Sequence, residues 1–438
     1  MAGDARHFGD LFYESPRNGL TRPKAIRGAG VKMVNMGELF AFPRLYNTPM
    51  DRVPLSESEA ERFLLKDGDL LFARQSLVLE GAGKCSIFLG DIEPVTFESH
   101  LTRVRLNPGK ADPRFYFYYL QSHHGRAAIR SIVEQGAGAS GIRGSDLARL
   151  DVQWRPVKEQ RVIAQFLGTL DDRIELNRRM NETLEAMARA LFKSWFVDFN
   201  PVHAKAQSRD PGLPKSLADL FPDSFEVSEL GEIPKGWRLS RLGDEVETLL
   251  GGTPSRGEPA YWGGEIPWIN SGKANEFRIV EPSEYVTQAG LESSATKLMP
   301  ARTTVIAITG ATLGQVSITE IPTCANQSIV GVLGSAELPS EYIYFWVKEN
   351  IDRLIASQTG GAQQHINKND VNELPVICPN AGVVRAYLAM TLPMFERIKV
   401  NCFESRNLAA LRDTLLPRLV SGDLRIPRDE MMLAAAAV

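Results

Sequence analysis

Three glycines, Gly136, Gly138 and Gly141 in GAGASG, have the GxGxxG spacing that lets a backbone approach a dinucleotide pyrophosphate. That chemistry needs a strand before the glycines and a helix after them, whereas the pattern upstream of Gly136 is helical. EGAGKCS around Lys84 offers part of a phosphate loop, but Val78 stands where its first glycine belongs and Cys85 replaces the Ser/Thr. His123 and His124 are neighbours on a predicted helix and cannot both face one metal. Cys85, Cys324, Cys378 and Cys402 are far apart, without metal-ligand spacing. No catalytic residue and no metal site is expected on this chain.

What remains is the chemistry of recognition. PRNGLTRPKAIRGAGVK carries Arg17, Asn18, Arg22, Lys24, Arg27 and Lys32 with no acidic residue between Glu14 and Glu38. Lys and Arg suit phosphate oxygens, and Arg, Asn and Gln suit bidentate contacts to base edges. A solvated surface loop suits the same residues equally. A second polar stretch, GGTPSRGEPAYWGGEIPWINSGK, offers Thr253, Ser255, Arg256, Asn270, Ser271 and Lys273, with Trp262 and Trp268 read as core or loop anchors. The net charge of -3 carries no global signature of nucleic-acid binding, so any such surface must be local.

An internal repeat supplies the elements that would position these residues. DDRIELNRRMNETLEAMARAL (171–191) matches FERIKVNCFESRNLAALRDTL (395–415) at an offset of 224, since 397 - 173 = 224 for the paired arginines. SGIRGSDLARLDV and QHINKNDVNELPV, just upstream, match at the same offset through Ile142/Ile366, Asp146/Asp370 and Leu150/Leu374. Farther upstream the offset drifts, as loop insertions would leave it. This sets Arg74 and Gln75 against Thr309 and Thr312, His100 against Gln327, and Arg143 against Asn367 and Lys368, with Gln363 and Gln364 beside them. Short apolar runs such as TTVIAIT predict strands, and PRFYFYYLQSHHGRAAIRSIV and PSEYIYFWVKENIDRLIA predict one helix each. The expected fold is α+β: two repeated α/β units separated by two long helices that form an antiparallel coiled coil, pseudo-twofold symmetric.

The helices carry that expectation. Leu170, Ile174, Asn177, Asn181, Leu184, Ala188, Leu191 and Trp195 follow the 3.5-residue repeat of a coiled-coil seam, and Met394, Ile398, Asn401, Ser405, Leu408, Arg412, Leu415 and Leu419 repeat it less cleanly. A lone amphipathic helix would simply cover its own domain; two matching seams favour pairing. Asn177 and Asn401 either fix the register or sit solvated at the seam edge. Pro393 is placed at the first turn of the second helix, and Pro417 is expected to end it. The stretch 170–196 would span about 40 Å, close to one turn of B-DNA at roughly 34–36 Å. Such a rod could hold two reading units one turn apart.

At this point the chain resembles the specificity subunits of type I restriction-modification systems. The resemblance rests on PVKEQRVIAQFLGTLDDRIELNRRMNETLEAMARALFKSWFVDFNPV, SELGEIPKGWRLSRLGD, GGAQQHINKNDVNELPV and LLPRLVSGDLRI, and runs from about Phe8 to Ile426. With the bounds of the repeat, it implies target-recognition domains at 1–156 and 235–379, spacer helices at 157–199 and 380–426 and a linker at 200–234; the tail at 427–438, outside the resemblance, is expected to be disordered. It further implies that each domain reads half of a bipartite site in double-stranded DNA. The helices would dock two adenine-methylating subunits and, through them, two ATP-dependent restriction subunits. S-adenosylmethionine, ATP and Mg would then belong to the partners, with no cofactor on this chain. No Asn-Pro-Pro-Tyr-like amino-methylation motif and no carboxylate-lysine nuclease pattern occurs, as the resemblance predicts. Two departures stand out: no GEIPKGW precedes the first unit, and MMLAAAAV has no counterpart. The charged helix face with Arg173, Glu175, Arg178, Arg179 and Glu182 is the expected partner surface. With no apolar run near the ~20 residues that span a bilayer, and with its scattered cysteines, the chain is expected in the cytoplasm.

Overall fold

The computed structural model describes residues 4–136, 140–356 and 365–426. It divides into two compact units. One takes the chain through Ile174 and resumes at Asn407; the other is Glu175–Arg406. Two long helices, Val157–Phe196 and Ala381–Ser421, contribute to both.

In the first unit the central sheet runs, edge to edge, Arg17–Asn18, Leu101–Val104, Leu70–Ala73, Cys85–Phe88 and Arg44–Leu45. Its core strands LLFA and CSIF are buried on both faces, which explains their unbroken apolar runs. A second sheet joins Asp51–Val53, Val31–Val34 and Val95–Phe97, the last two in parallel. The strands Asp4–His7 and Asp151–Trp154 pair antiparallel and close the fold ahead of the first long helix.

The second unit repeats this plan. Ile329–Val332, Thr304–Ala307 and Val316–Ile318 take the places of Leu101–Val104, Leu70–Ala73 and Cys85–Phe88, all antiparallel. Trp262–Ile269 lies parallel to Cys324–Ala325, as Val31–Val34 does to Val95–Phe97. Arg238–Arg241 pairs with Pro375–Cys378 to close it. The connector 200–234 carries a helix, Asn200–Ala206, and a hairpin of Phe225–Ser228 with Gly231–Pro234.

Each unit buries its own stretch of both long helices, and in each they run antiparallel. In the first, Ile163, Ala164 and Leu167 share a core with Leu416, Leu419 and Val420, together with Phe72, Phe115 and Tyr116. In the second, Ala188, Phe192, Trp195 and Phe196 share a core with Val383, Tyr387 and Phe395. Phe192 stands 5.3 to 6.5 Å from the rings of Tyr342, Phe345, Trp346 and Tyr387.

Beyond these apolar stretches each unit pairs its helices through polar side chains. Asn177 and Asn401 are fully buried, so neither is a solvated edge residue. Asn401 donates to Asn181 Oδ1 at 2.9 Å, and Asn177 donates to Glu404 at 3.0 Å and Ser405 at 3.3 Å. In the first unit Asp171 accepts from Arg412 and from the Tyr118 hydroxyl, both at 2.6 Å. Burial pushes the Tyr118 pKa up, which keeps the hydroxyl a donor. Ile174, Leu184, Leu408 and Leu415 are half-buried, and Ile398 and Trp195 are buried. Asp171 and Phe192 are buried where the 3.5 spacing had named Leu170 and Leu191, which are only half-buried. A helix of 3.6 residues per turn drifts from a strict heptad, and that drift moves the stripe.

Farther along, Glu185 of the first helix enters a charged cluster of the second unit. It contacts Arg278 at 2.7 Å, Lys348 at 3.0 Å and the Tyr344 hydroxyl at 2.9 Å. Burial opposes the Glu185 charge, but Arg278 and Lys348 outweigh it and hold the carboxyl below its usual range. Glu320, behind Arg278, goes the other way, because burial exceeds the pull of Arg302 and Arg278.

Three sequence expectations fail for identifiable reasons. The predicted helix from Pro113 breaks into Pro113–Gln121 and His123–Ser131, because Ser122 leaves helical geometry and its Oγ caps Gly125 at 3.2 Å. Pro393 lies inside the second long helix, which begins at Ala381 where Asn380 Oδ1 caps Val383 at 2.9 Å. Pro393 faces solvent, where water can serve the carbonyl it strands. Pro417 does not end that helix either. The stop is Gly422, at a φ of 86°, with Arg155 donating to the carbonyl of Val420 at 2.9 Å.

Removing the seam amide by Asn401→Ala takes the donor from Asn181 Oδ1, while Asn181 Nδ2 keeps its contact with Cys402 Sγ at 3.4 Å. It is expected to cost about 1–3 kcal/mol, seen as a lower urea midpoint; an unchanged midpoint would show that the seam does not depend on this bond.

Candidate nucleic-acid interface

In each unit three loops meet at one end of the central sheet, tied by the same backbone hydrogen bonds. In the first, Arg74 N donates to His100 O at 2.8 Å, Ile142 N to Arg74 O at 2.9 Å, and Gly19 N to Leu101 O at 3.1 Å. In the second, Ile308 N donates to Ser328 O at 2.9 Å, Ile366 N to Ile308 O at 3.0 Å, and Gly251 N to Ile329 O at 3.0 Å. The glycine is obligatory in both: a Cβ would come within 2.2 Å of Phe97 O at Gly19 and 2.0 Å of Asn326 O at Gly251. By this frame Ile308 and Ser328 take the places of Arg74 and His100, and Thr309 that of Gln75. Linear matching sets Thr309 against Arg74, Thr312 against Gln75 and Gln327 against His100, and the frame corrects all three, because the offset drifts from 224 to 308 - 74 = 234 and 328 - 100 = 228.

Asn18, Gln75, His100 and Arg143 are exposed on the loops of the first frame. Asn18 accepts from Thr102 Oγ1 at 2.8 Å, which leaves its amide donors available. Arg143 is salt-bridged to Glu134 at 2.8 Å, with both side chains mostly in solvent, where such a pair is weak and exchangeable. Arg74 is half-buried and donates to Ser99 O at 2.8 Å, so it braces the frame.

The basic stretch turns out differently. Arg22 pairs with Glu59 at 2.6 Å, Arg27 with Asp51 at 3.1 Å, and Lys32 with Asp91 at 2.9 Å and Glu93 at 3.8 Å. Arg17 lies over the Phe63 ring at 5.7 Å. The acids are remote in sequence and arrive through the tertiary fold, so the apparent patch is largely neutralised. Lys24 remains exposed.

In the second unit Thr253 Oγ1 meets Gln327 Oε1 at 2.6 Å, holding the exposed Gln327 at the frame. Asn367 is exposed and caps the helix Lys368–Asn372, accepting from Asp370 N at 3.1 Å. Lys368 begins that helix, and Thr309 and Thr312 occupy the loop after Thr304–Ala307, with Thr312 Oγ1 donating to Thr309 O at 3.4 Å. Arg256 stacks on Trp262 at 3.6 Å and pairs with Glu284 at 2.6 and 2.8 Å. Trp262 and Trp268 are anchors as expected, donating to Ser255 O at 3.1 Å and Gly252 O at 3.2 Å. Lys273 pairs with Glu276 at 2.7 Å. Asn270 caps Gly272 at 2.9 Å beside the half-buried Ser271. Gln363 and Gln364 lie outside the described residues, as do Gly138 and the 427–438 tail.

The glycine decoys have structural roles. Gly141 pairs within a ribbon of Gln75–Ser76, Ser140–Gly141 and Glu134–Gln135, and Lys84 donates to Phe40 O at 2.9 Å. Among the described residues no group of His, Cys, Asp and Glu could hold a metal, and no helix is long and apolar enough to cross a membrane.

Two stretches of the chain, 38–186 and 234–383, match the model of the type I restriction modification DNA specificity domain. The chain belongs to this family. Like the relatives below, it is a DNA-specificity subunit and not a catalytic one. The HindI specificity subunit of Haemophilus influenzae is 26% identical over 82% of this chain and 87% of its own. The putative MjaX specificity subunit of Methanocaldococcus jannaschii is 22% identical over 97% and 94%. The crystal structure of the S subunit from M. genitalium shares the fold at a TM-score of 0.55, with 16% identity over 95% of both chains.

The two sets of polar residues in the specificity subunit should separate experimentally. Lys32→Ala strips the partner from the fully buried Asp91 carboxylate and is expected to lower the melting temperature while leaving sequence preference intact. Gln75→Ala is expected to do the reverse, relaxing preference at one base pair by about 1–3 kcal/mol in competition binding. Opposite outcomes would exchange the two roles.

Proposed function

We propose that each unit reads one half of a bipartite site in double-stranded DNA. The two long helices set the half-site spacing and dock two adenine-N6 methyltransferase subunits and, through them, two ATP-dependent restriction subunits. The observation that carries this reading is the loop frame built twice in one chain. Asn18, Gln75, His100 and Arg143 surround one copy, and Thr253, Thr309, Gln327 and Asn367 the other. The frames are alike in backbone and unlike in side chain, which is what reading two different sequences from one scaffold requires.

Phosphate attraction by this chain alone is weak. Residues 235–379 hold 11 Lys/Arg against 16 Asp/Glu, and Arg256 and Lys273 are already paired. Tight binding then needs the methylating partners to complete the positive surface. S-adenosylmethionine, ATP and Mg belong to those partners in this scheme, which operates in the cytoplasm. The charged helix face supports docking less than expected, because Glu175 pairs with Arg178 at 2.8 Å and with Arg179 at 2.7 Å, and Glu182 with Arg178. Exposed Phe166, Leu176, Met187, Met390, Val400 and Leu411 on the same two helices offer partners apolar area.

Deleting the gene is expected to abolish a single bipartite methyladenine motif in the source genome, and replacing residues 235–379 by those of a relative to change one half of that motif. Persistence of the motif after deletion would overturn the reading. The helices of 40 and 41 residues test the ruler. One heptad added to each, in register, lengthens the pair by about 10 Å and should widen the tolerated spacer by roughly three base pairs. A spacer that does not move would exclude the ruler while leaving half-site reading untouched.

A further inference from the structure

One loop of the first frame has a feature its counterpart lacks. In both units the loop that follows the central strand closes with the same pair of hydrogen bonds: Gly83 N to Ala73 O and Ala73 N to Lys84 O, both at 2.9 Å, and Gly314 N to Ala307 O and Ala307 N to Gln315 O, both at 2.9 Å. The first loop spans 83 - 73 = 10 positions and the second 314 - 307 = 7, so the first is longer by three residues at its tip. The longer tip carries Leu77 and Val78, 90% and 59% exposed, where the shorter one has Gly310, Ala311 and Thr312.

A single exposed leucine is ordinary on a protein surface. Two adjacent apolar side chains on a rigid insertion are less so. Gln75 and Ser76 are paired to Gly141 and Ser140. Ser76 Oγ accepts from Val78 N at 3.2 Å, and Gly81 N donates to Val78 O at 3.1 Å. Gly81 is packed so closely that a Cβ would stand 2.1 Å from Ser76 Oγ. The backbone is therefore held on both sides of the tip, while Leu77 and Val78 give almost nothing to the core. The tip continues directly from Gln75, on the ribbon that leads through Gly141 to Arg143, and its one charged residue is the acidic Glu80, which phosphates repel. Apolar contact with bases is the chemistry left to it. Leucine and valine can pack on a thymine methyl in the major groove or wedge into an opened base step.

We propose that Leu77 and Val78 enter the groove of the half-site read by the first unit and make an apolar base contact that the second unit does not make. This rests on the DNA-reading assignment above. The test uses the complex of this chain with its methylating subunits and duplexes carrying the mapped site. Thymines of each half-site are replaced singly by deoxyuridine in one series, and adenines by 2-aminopurine in another. The double variant Leu77→Ser, Val78→Ser is expected to bind the site roughly tenfold more weakly than the parent, with non-specific binding and melting temperature unchanged. The parent should show one sensitive position in the first half-site, and the variant should lose it. A lost deoxyuridine penalty identifies a methyl contact, and a lost 2-aminopurine signal an opened step. Equal binding by parent and variant, or failure of the variant to assemble with its partners, overturns the proposal, the latter by making the tip a protein contact. If the parent complex shows no site preference at all, the DNA-reading assignment itself falls.

Discussion

Everything in this protein depends on how two helices longer than any one core are buried. A helix of 40 residues is about 60 Å long and needs tertiary packing to be stable in water. Here that packing comes in two instalments. Ile163, Ala164 and Leu167 enter the core of the first unit, and Ala188, Phe192, Trp195 and Phe196 the core of the second. Each large side chain so buried contributes about 1.5–3 kcal/mol, so both ends are fixed and neither unit is complete without both helices.

Between the two apolar stretches the seam changes character. Asp171, Asn177, Asn181 and Asn401 are buried there, each with a hydrogen-bond partner on the facing helix or in the adjoining fold. An apolar middle would hold the helices more strongly but would accept several registers. Directional bonds such as that from Asn401 to Asn181 are satisfied in only one, and a slip by a turn would leave buried amides without partners at a cost of roughly 1–3 kcal/mol each. Those bonds give the helix pair definition of register more than strength.

The loops obey a second constraint. The proposed reading surface has to offer donors and acceptors that are not already used, yet stay in place without DNA. The structure meets both demands by fixing the backbone and freeing the side chains. Gly19 and Gly251 allow the close approach, Arg74 braces from beneath, and Asn18, Gln75, His100 and Gln327 remain exposed. The arginines and lysines that look most like DNA ligands in linear order, Arg22, Arg27 and Lys32, instead tie the first unit together through Glu59, Asp51 and Asp91.

The architecture was legible in the linear chain because it is a matter of period and repetition. An offset of 224 held across two segments, and a 3.5-residue seam occurring twice, require two like units and two like helices. Heptad spacing could not say where the stripe drifts to Asp171 and Phe192, since that depends on the real pitch of the helix and on what each turn packs against. Nor did it reveal that Pro393 and Pro417 lie inside a helix, because what surrounds each turn, solvent at Pro393 and the partly buried face at Pro417, decides whether a proline is tolerated. Which polar residues stay exposed and which are held in ion pairs was the least legible of all. Charge pairing joins residues such as Lys32 and Asp91 across 91 - 32 = 59 positions, and only the folded chain brings them together. Composition and spacing thus determined the repeat and the helix pair, while the cores, the register and the free side chains were settled by tertiary contacts, because burial and ion pairing act through space rather than along the chain.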